Sequence, residues 1–315
     1  MAKTLYIVVP CYNEQEVFPE TKKRLCEKLA TLIAENKVSE QSRVFFVNDG
    51  SKDATWNLIA EAFEEEPLVC GMSLSRNRGH QNALLAGLLS AAAHCDFTIS
   101  IDADLQDDIN VFDEMVAKYD AGADIVYGVR GARETDTAFK RNTAQEFYKF
   151  LAKMGVETVY NHADFRLMSR RAIEALREFK EVNLYLRGMV PMLGFKTDKV
   201  LYERSPRLAG ESKYPLKRML ALALDGITGF SIKPIRMVFW TGVWIVILAL
   251  IAFIVGLVLY LCGVLATGMM AVVSALFWLG GMQMIAMGVV GEYVGKAYLE
   301  TKQRPRFVIS EIKVK

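Results

Sequence analysis

Between Val238 and Gly291 the chain carries no Asp, Glu, Lys or Arg, although charged residues make up 23% of the whole. A bilayer core takes about 20 apolar residues per helix. A run of this length, broken where Gly263 and Gly268 bracket Val264 to Thr267, therefore reads as two spans joined by a short turn. Lys213, Lys217, Arg218, Lys233 and Arg236 precede the run, Lys296, Lys302, Arg304 and Arg306 follow it, and the turn has no charge. The positive-inside rule places both flanks on the cytoplasmic side. Just ahead, Leu216, Met219, Leu220, Ala223, Leu224 and Ile227 recur at helical spacing with Lys217, Arg218 and Asp225 off the stripe, the pattern of a helix lying in a bilayer interface. The expected organisation is a cytosolic domain over 1–213, amphipathic juxtamembrane helices over 214–237, two transmembrane helices over 238–291 and a cytosolic tail over 292–315. Gly280, Gly281, Gly288, Gly291 and Gly295 would allow close helix approach, so homo-oligomers are open.

The first 130 residues read differently. Short β-rich runs alternate with segments of helical period, which predicts an α/β domain with helices on both faces of a sheet. The expected strands are Leu5 to Val9, Val44 to Asn48, Val69 to Leu74, Phe97 to Ile101 and Asp124 to Tyr127. Helices are expected over Gln15 to Ala34, Asp53 to Glu65, Gln81 to Ala93 and Val111 to Ala121. Near-continuous apolar runs such as Leu5-Tyr6-Ile7-Val8-Val9 point to parallel strands buried on both faces. From Gly131 to Glu211 the pattern is less regular, with helices predicted over Phe139 to Met154, Arg170 to Phe179 and Leu184 to Leu193 and a strand over Lys196 to Tyr202.

Several function classes are disfavoured at this stage. Cys11, Cys26, Cys70, Cys95 and Cys262 form no CxxC pair and read as reduced core or membrane residues. A net charge of +2 gives no reason to expect nucleic acid. There is no GxGxxG after the first strand, and Gly291 to Lys296 lacks P-loop spacing. Chemistry concentrates instead at the predicted strand ends: Tyr12-Asn13-Glu14, Asp49-Gly50-Ser51, Arg76-Asn77-Arg78 and Asp102-Ala103-Asp104. In parallel sheets ligands sit at the carboxyl edge. Two carboxylates one residue apart on the bend leaving a strand can share a divalent ion that bridges diphosphate oxygens, and Gln106 adds a third oxygen.

Val8-Val9-Pro10-Cys11-Tyr12-Asn13-Glu14, Val47-Asn48-Asp49-Gly50-Ser51-Lys52-Asp53, Asp102-Ala103-Asp104-Leu105-Gln106 and Asp164-Phe165-Arg166-Leu167 together resemble glycosyltransferase family 2, in particular its polyprenyl-phosphate branch. Leu74 to Gln81, Gly128-Val129-Arg130, Arg207 to Tyr214 and the terminal Arg304-Pro305-Arg306-Phe307 fit the same branch. Two positions depart from it: Asn48-Asp49 stands where the family often has Asp-Asp, and Arg78 replaces a commonly aromatic residue.

The resemblance implies a GT-A-type, mostly parallel sheet with flanking helices, followed by the C-terminal transmembrane hairpin. It implies inverting transfer of a hexose from a nucleotide-sugar, UDP-glucose first and GDP-mannose second, to a polyisoprenyl phosphate. The short undivided chain points to undecaprenyl phosphate, to cell-envelope glycosylation and to a multi-pass protein of the bacterial inner membrane with its catalytic domain in the cytoplasm. Pro10, Tyr12, Glu14, Asp49 and Asp102 would hold the donor. Asp102, Asp104 and Gln106 would bind Mg²⁺ or Mn²⁺. Asp164 would be the catalytic carboxylate, acting as a base or an orienting group, since alternation puts it on one face of an extended segment with Arg166. Arg130, Arg141, Arg166, Arg207, Ser212 and Lys213 would surround the acceptor phosphate. The rival class is a non-catalytic membrane scaffold or flippase accessory built on a degenerate transferase domain.

Overall fold

The computed structural model describes residues 2–131, 162–182, 184–203, 233–262 and 269–315. The chain divides into two compact units: Met1–Tyr148 with Glu157–Leu216 and Gln303–Lys315, and Lys149–Val156 with Lys217–Lys302.

The first unit is built on one sheet of eight strands: β1 Leu5–Cys11, β2 Arg43–Asn48, β3 Val69–Leu74, β4 Phe97–Ser100, β5 Ile125–Arg130, β6 His162–Ser169, β7 Thr197–Tyr202 and β8 Ile309–Lys313. Their order across the sheet is β7-β5-β6-β4-β1-β2-β3-β8. The five strands expected near the N-terminus all form, with ends shifted by a few residues, and β1 and β3 are buried along their whole length. Burial on both faces explains why these strands read as unbroken apolar runs. Pairing is parallel for β1 with β2 and β4, for β2 with β3 and for β5 with β7. It is antiparallel where β6 enters between β4 and β5 and where β8 closes the edge beside β3.

Helices α1 Phe18–Ala34, α2 Thr55–Glu65, α3 His80–Ala91 and α4 Phe112–Asp120 fill the predicted gaps. The first starts three residues later than expected, because Glu14 O accepts from Val17 N and Phe18 N in a turn before Pro19 opens the helix. It stops at Asn36, whose φ of 58° gives the left-handed residue that ends many helices. Gly87 lets α3 lie against the sheet, since a Cβ there would meet Val8 Cγ1 at 2.5 Å and Val47 Cγ2 at 2.7 Å. After β6 come α5 Arg170–Arg177, capped by Ser169 Oγ accepting from Ala172 N, and α6 Leu186–Met192.

The last strand is the fold element least evident from sequence, and it fixes the C-terminus to the sheet. Beyond the β3 ladder, Ser310 Oγ donates to Ser73 O at 3.0 Å and Trp56 Nε1 donates to Glu311 Oε2 at 3.2 Å. Ser75 N donates to Val308 O at 2.9 Å, so the tail also holds the start of the loop that follows β3. Deleting residues 303–315 is expected to lower Tm by about 5 °C or more. It should also promote association through the bared β3 edge. Thermal unfolding and light scattering of the truncated chain check both.

The second unit contains α7 Lys233–Leu261 and α8 Met269–Thr301. Large apolar side chains such as Trp240, Trp244, Met284 and Ile285 are exposed on them. The expected transmembrane hairpin is nevertheless corrected: among the described residues no helix is long and apolar enough to cross a membrane. The charge-free run and the helices do not coincide, since α7 opens on Lys233 and Arg236 and α8 continues through Glu292, Lys296 and Glu300. A charge-free stretch of sequence does not by itself make a span, and the multi-pass bacterial inner-membrane placement is corrected with it. The predicted helix at Phe139 to Met154, most of the juxtamembrane segment, the turn 263–268, and Arg141, Arg207, Ser212 and Lys213 lie outside the described residues.

Candidate active site

Parallel pairing brings the carboxyl ends of β1, β2 and β3 side by side, with β4 ending two residues short of β1's Pro10. Pro10 is tolerated inside β1 because β4 pairs only as far as Val8↔Ser100, so no ladder bond is lost on that side. Tyr12 and Glu14 follow, half-buried, in a loop where Asn13 takes φ 53°. This loop is tied to the one after β2: Asn13 N donates to Ser51 Oγ at 3.0 Å, Lys52 N to Asn13 Oδ1 at 2.9 Å and Glu14 N to Thr55 Oγ1 at 2.9 Å.

Asp49 is only 2% exposed, and its two oxygens accept from Arg78 N at 2.7 Å and Gly79 N at 2.9 Å. Burial pushes its pKa up, partly offset by those two N–H bonds. The carboxylate thereby fastens the β3–α3 loop to the end of β2. Next to it, Gly50 has φ 60°, and a Cβ there would meet Arg76 C and Asn77 N at 2.5 Å. Gly50→Ala is therefore expected to cost about 2 kcal/mol or more, read as a lower denaturation midpoint with an unchanged slope.

The Asp102-Ala103-Asp104 segment leaves β4 as a tight turn, with Leu105 N donating to Asp102 O at 3.3 Å and Leu105 at φ 46°. The turn is anchored from below: Ala103 and Leu105 are buried, and Thr21 Oγ1 on α1 donates to Ala103 O at 2.7 Å. Asp102 and Asp104 alternate with those anchors and stay partly open, while Gln106 is buried and its N–H donates to Asp104 Oδ1 at 3.2 Å. Left-handed backbone at a non-glycine costs about 1–3 kcal/mol and persists where surrounding packing over-determines it. Asn13 and Leu105 both occupy that region beside the site.

Asp164, on β6, is the hub. Its side chain is 5% exposed, and Arg166, which is fully enclosed, donates from Nη2 to Asp164 Oδ1 at 2.7 Å. The other oxygen receives Gln81 Nε2 at 3.1 Å and Arg187 Nη2 at 3.2 Å, and His80 Nε2 stands 3.6 Å away. Ser100 Oγ fixes the strand by donating to Asp164 O at 2.5 Å. On the opposite face of β6, Phe165 packs into the core, edge-on to Tyr202 at 5.1 Å. The alternation seen in the sequence thus separates an apolar face from an ionic one. Burial alone would raise the Asp164 carboxyl, but Arg187, His80 and Arg166 hold it well below the usual carboxylate range.

His80 opens α3 and also approaches Asp102 Oδ1 at 3.5 Å, so one imidazole links the turn after β4 to the carboxylate on β6. Burial lowers its pKa, yet Asp164 and Asp102 outweigh that and raise it to about 9. The two carboxylates favour its imidazolium form. Arg130, at the end of β5, belongs to a neighbouring group: its Nε donates to Tyr202 Oη at 3.2 Å, Nη2 lies 3.6 Å from Asp107 Oδ1, and Tyr202 Oη donates to Asp107 Oδ1 at 2.5 Å. Asp107 follows directly on the Asp102–Gln106 segment, so Arg130 braces that segment.

The structure therefore links Asp102 to Asp164 through His80 and Asp164 to Arg166 directly, and puts Pro10, Tyr12, Glu14 and Asp49 on adjoining strand ends. Arg187, Gln81, Asp107 and Tyr202 are additions. Gln81 and His80 stand inside a motif visible in the sequence, whereas Arg187 has no motif around it and acts only because α6 is placed beside β6. Among the described residues no group of three or more His, Cys, Asp and Glu could hold a metal ion by itself.

Residues 6–177 match the family described as Glycosyl transferase family 2. The "Uncharacterized glycosyltransferase YkoT" of Bacillus subtilis is 49% identical over 97% of this chain and 90% of its own length. The "Prophage bactoprenol glucosyl transferase homolog" of Escherichia coli is 40% identical over 98% of both, and the "Bactoprenol glucosyl transferase" of Shigella phage SfV is 40% identical over 98% and 99%. With a family match over more than half its length and full-length relatives well above 30% identity, this chain is a member of glycosyl transferase family 2.

Proposed function

We propose that this enzyme transfers glucose from UDP-glucose to undecaprenyl phosphate, giving a lipid monophosphate sugar, with GDP-mannose as the second candidate donor. The observation that carries the reading is the buried Asp164, ionised and held by Arg166, Arg187 and His80 one histidine away from Asp102. Support for the acceptor comes from relatives named for bactoprenol glucosyl transfer at 39–40% identity over nearly the whole chain.

The residues divide the work as follows. Tyr12, with Pro10 and Glu14 beside it, offers a ring for a nucleobase at the end of β1. Asp49 contributes by fastening the β3–α3 loop against that pocket, and its remaining lone pairs can accept from a base. The donor diphosphate lies over the Asp102–Gln106 segment. Two carboxylates on one exposed turn are hard oxygen donors that fit Mg²⁺ or Mn²⁺, provided that diphosphate oxygens complete the shell. Bound there, such an ion would neutralise charge developing on the leaving diphosphate.

The acceptor is already an anion near neutral pH, so a strong base is not required for its attack. Asp164 acts by orienting: neutralised by the fully enclosed Arg166, which braces it from behind, it lies close to the anomeric centre. Attack in line inverts the configuration. Arg130, braced by Asp107 and Tyr202, supplies a further cation, and Arg141, Arg207, Ser212 and Lys213 are proposed to complete the acceptor side.

The test is incubation with a panel of radiolabelled nucleotide-sugars and undecaprenyl phosphate, followed by lipid extraction. Label in the lipid phase from UDP-glucose supports the reading. Label from another donor alone replaces the sugar, and no label from any donor removes the activity.

A further inference from the structure

Asp164 carries one negative charge and meets two guanidiniums, Arg166 at 2.7 Å and Arg187 at 3.2 Å, with His80 Nε2 at 3.6 Å. Arg166 suffices to neutralise it, being fully enclosed and also donating toward Leu186 O at 3.4 Å. Arg187 is different. Its side chain is 35% exposed against none for Arg166, and only Nη2 reaches Asp164; its buried Nε, like that of Arg166, has no hydrogen-bond partner among the described residues. A guanidinium has five N–H donors in a planar fork, and most of this fork is unspent. Arg187 is also near enough to Arg130 for the two guanidinium charges to repel, and near enough to Asp102 to feel its charge. A buried orphan N–H costs free energy unless a ligand satisfies it, and two neighbouring guanidiniums favour an anion between them.

We propose that Arg187 is a substrate-binding residue that takes a phosphoryl group of the substrate through its open fork, while Arg166 keeps Asp164 in place. Resting on the glycosyl-transfer reading above, this deepens it by naming a residue with no motif of its own as the anchor. The shared chemistry is a phosphate oxygen, which two substrates can supply: the acceptor monoester or the donor diphosphate. Position favours a planar, bidentate contact, which arginine makes and lysine does not. Asp164 then acts as a hinge for the fork: it takes one N–H of Nη2 and leaves the other, which with an Nη1 N–H forms the outer two-pronged edge, to the ligand.

The experiment measures binding and turnover separately in the full chain. Geranyl phosphate serves as a soluble monoester and UDP as the diphosphate, each titrated by calorimetry against wild type, R187Q and R187K. R187Q is expected to weaken one probe by roughly 30-fold or more. R187K, which keeps the charge but not the fork, should fall between R187Q and wild type. Loss for geranyl phosphate alone identifies the acceptor, and loss for UDP alone identifies the donor. In R187A, added methylguanidinium should restore part of the lost transfer, an effect that a packing role would not produce. Should R187Q lower Tm while leaving both affinities within about twofold of wild type, the assignment is overturned. It is equally overturned if wild type binds neither probe. If wild type binds both, R187Q loses one, and no nucleotide-sugar is consumed, then the proposed function fails while the anchor stands.

Discussion

Replacing Asp164 by asparagine is expected to reduce transfer by on the order of 10²–10³-fold and to destabilise the catalytic unit by about 3–5 kcal/mol. Both effects follow from one geometry. Asparagine keeps the shape but removes the charge, so the enclosed Arg166, together with Arg187 and His80, loses its counter-ion. The amide would also turn an NH₂ toward one of these donors. Urea unfolding and radiolabel transfer measure the two losses. A double variant with Arg166→Met separates them: if buried charge is the main cost, D164N/R166M regains stability over D164N alone but no activity. The pH dependence has a fixed sign. The Asp164 carboxyl is held below its ordinary value, so its stabilisation is complete above the unfolded pKa near ~4 and disappears as pH falls through the lower folded value. His80, raised to about 9, contributes fully below ~6.5 and loses its contribution as pH rises through about 9. The stability gap between wild type and D164N should therefore be widest between those limits and narrow on both sides. A gap that stays flat from pH 3 to 10 would remove the electrostatic account.

Some of this arrangement can be read directly from residues. β1 and β2 are apolar on both faces because both are buried, and β6 alternates because Phe165 enters the core while Asp164 and Arg166 face the site. The turn at Asp102 is legible because Ala103 and Leu105 are the apolar partners that hold it. Other parts depend on contacts between distant segments. β8 is short and exposed, and its partner β3 lies far back in the chain, so nothing local marks it. Arg187 becomes part of the site only when α6 packs beside β6, and Tyr202 and Asp107 find Arg130 only once β7 pairs with β5. The apolar C-terminal region misleads for the opposite reason. Its composition is clear in the sequence, but composition does not set where helices begin and end, and among the described residues none meets the length and apolarity of a span.

Asp104→Asn separates a metal role from a structural one, since its expected loss of transfer matches that at Asp164 while its expected loss of stability does not. Asp104 is half-open, and its carboxylate accepts a local turn bond from Gln106 N at 3.2 Å. An asparagine oxygen can keep that bond, and a half-open side chain stays solvated, so stability should change by less than about 1 kcal/mol. Transfer, by contrast, should fall by on the order of 10²–10³-fold, because a neutral amide is a much poorer ligand for a hard divalent cation. Titration with Mn²⁺ should show the half-saturating concentration rising by at least about tenfold, a shift that a donor-binding defect without metal involvement would not give. In chelated buffer wild type should drop to the level of the variant. Wild-type activity that persists there, with D104N equally active, would take the metal away from this turn and leave the cationic side chains near it, His80, Arg130 and Arg187, to meet the diphosphate charge.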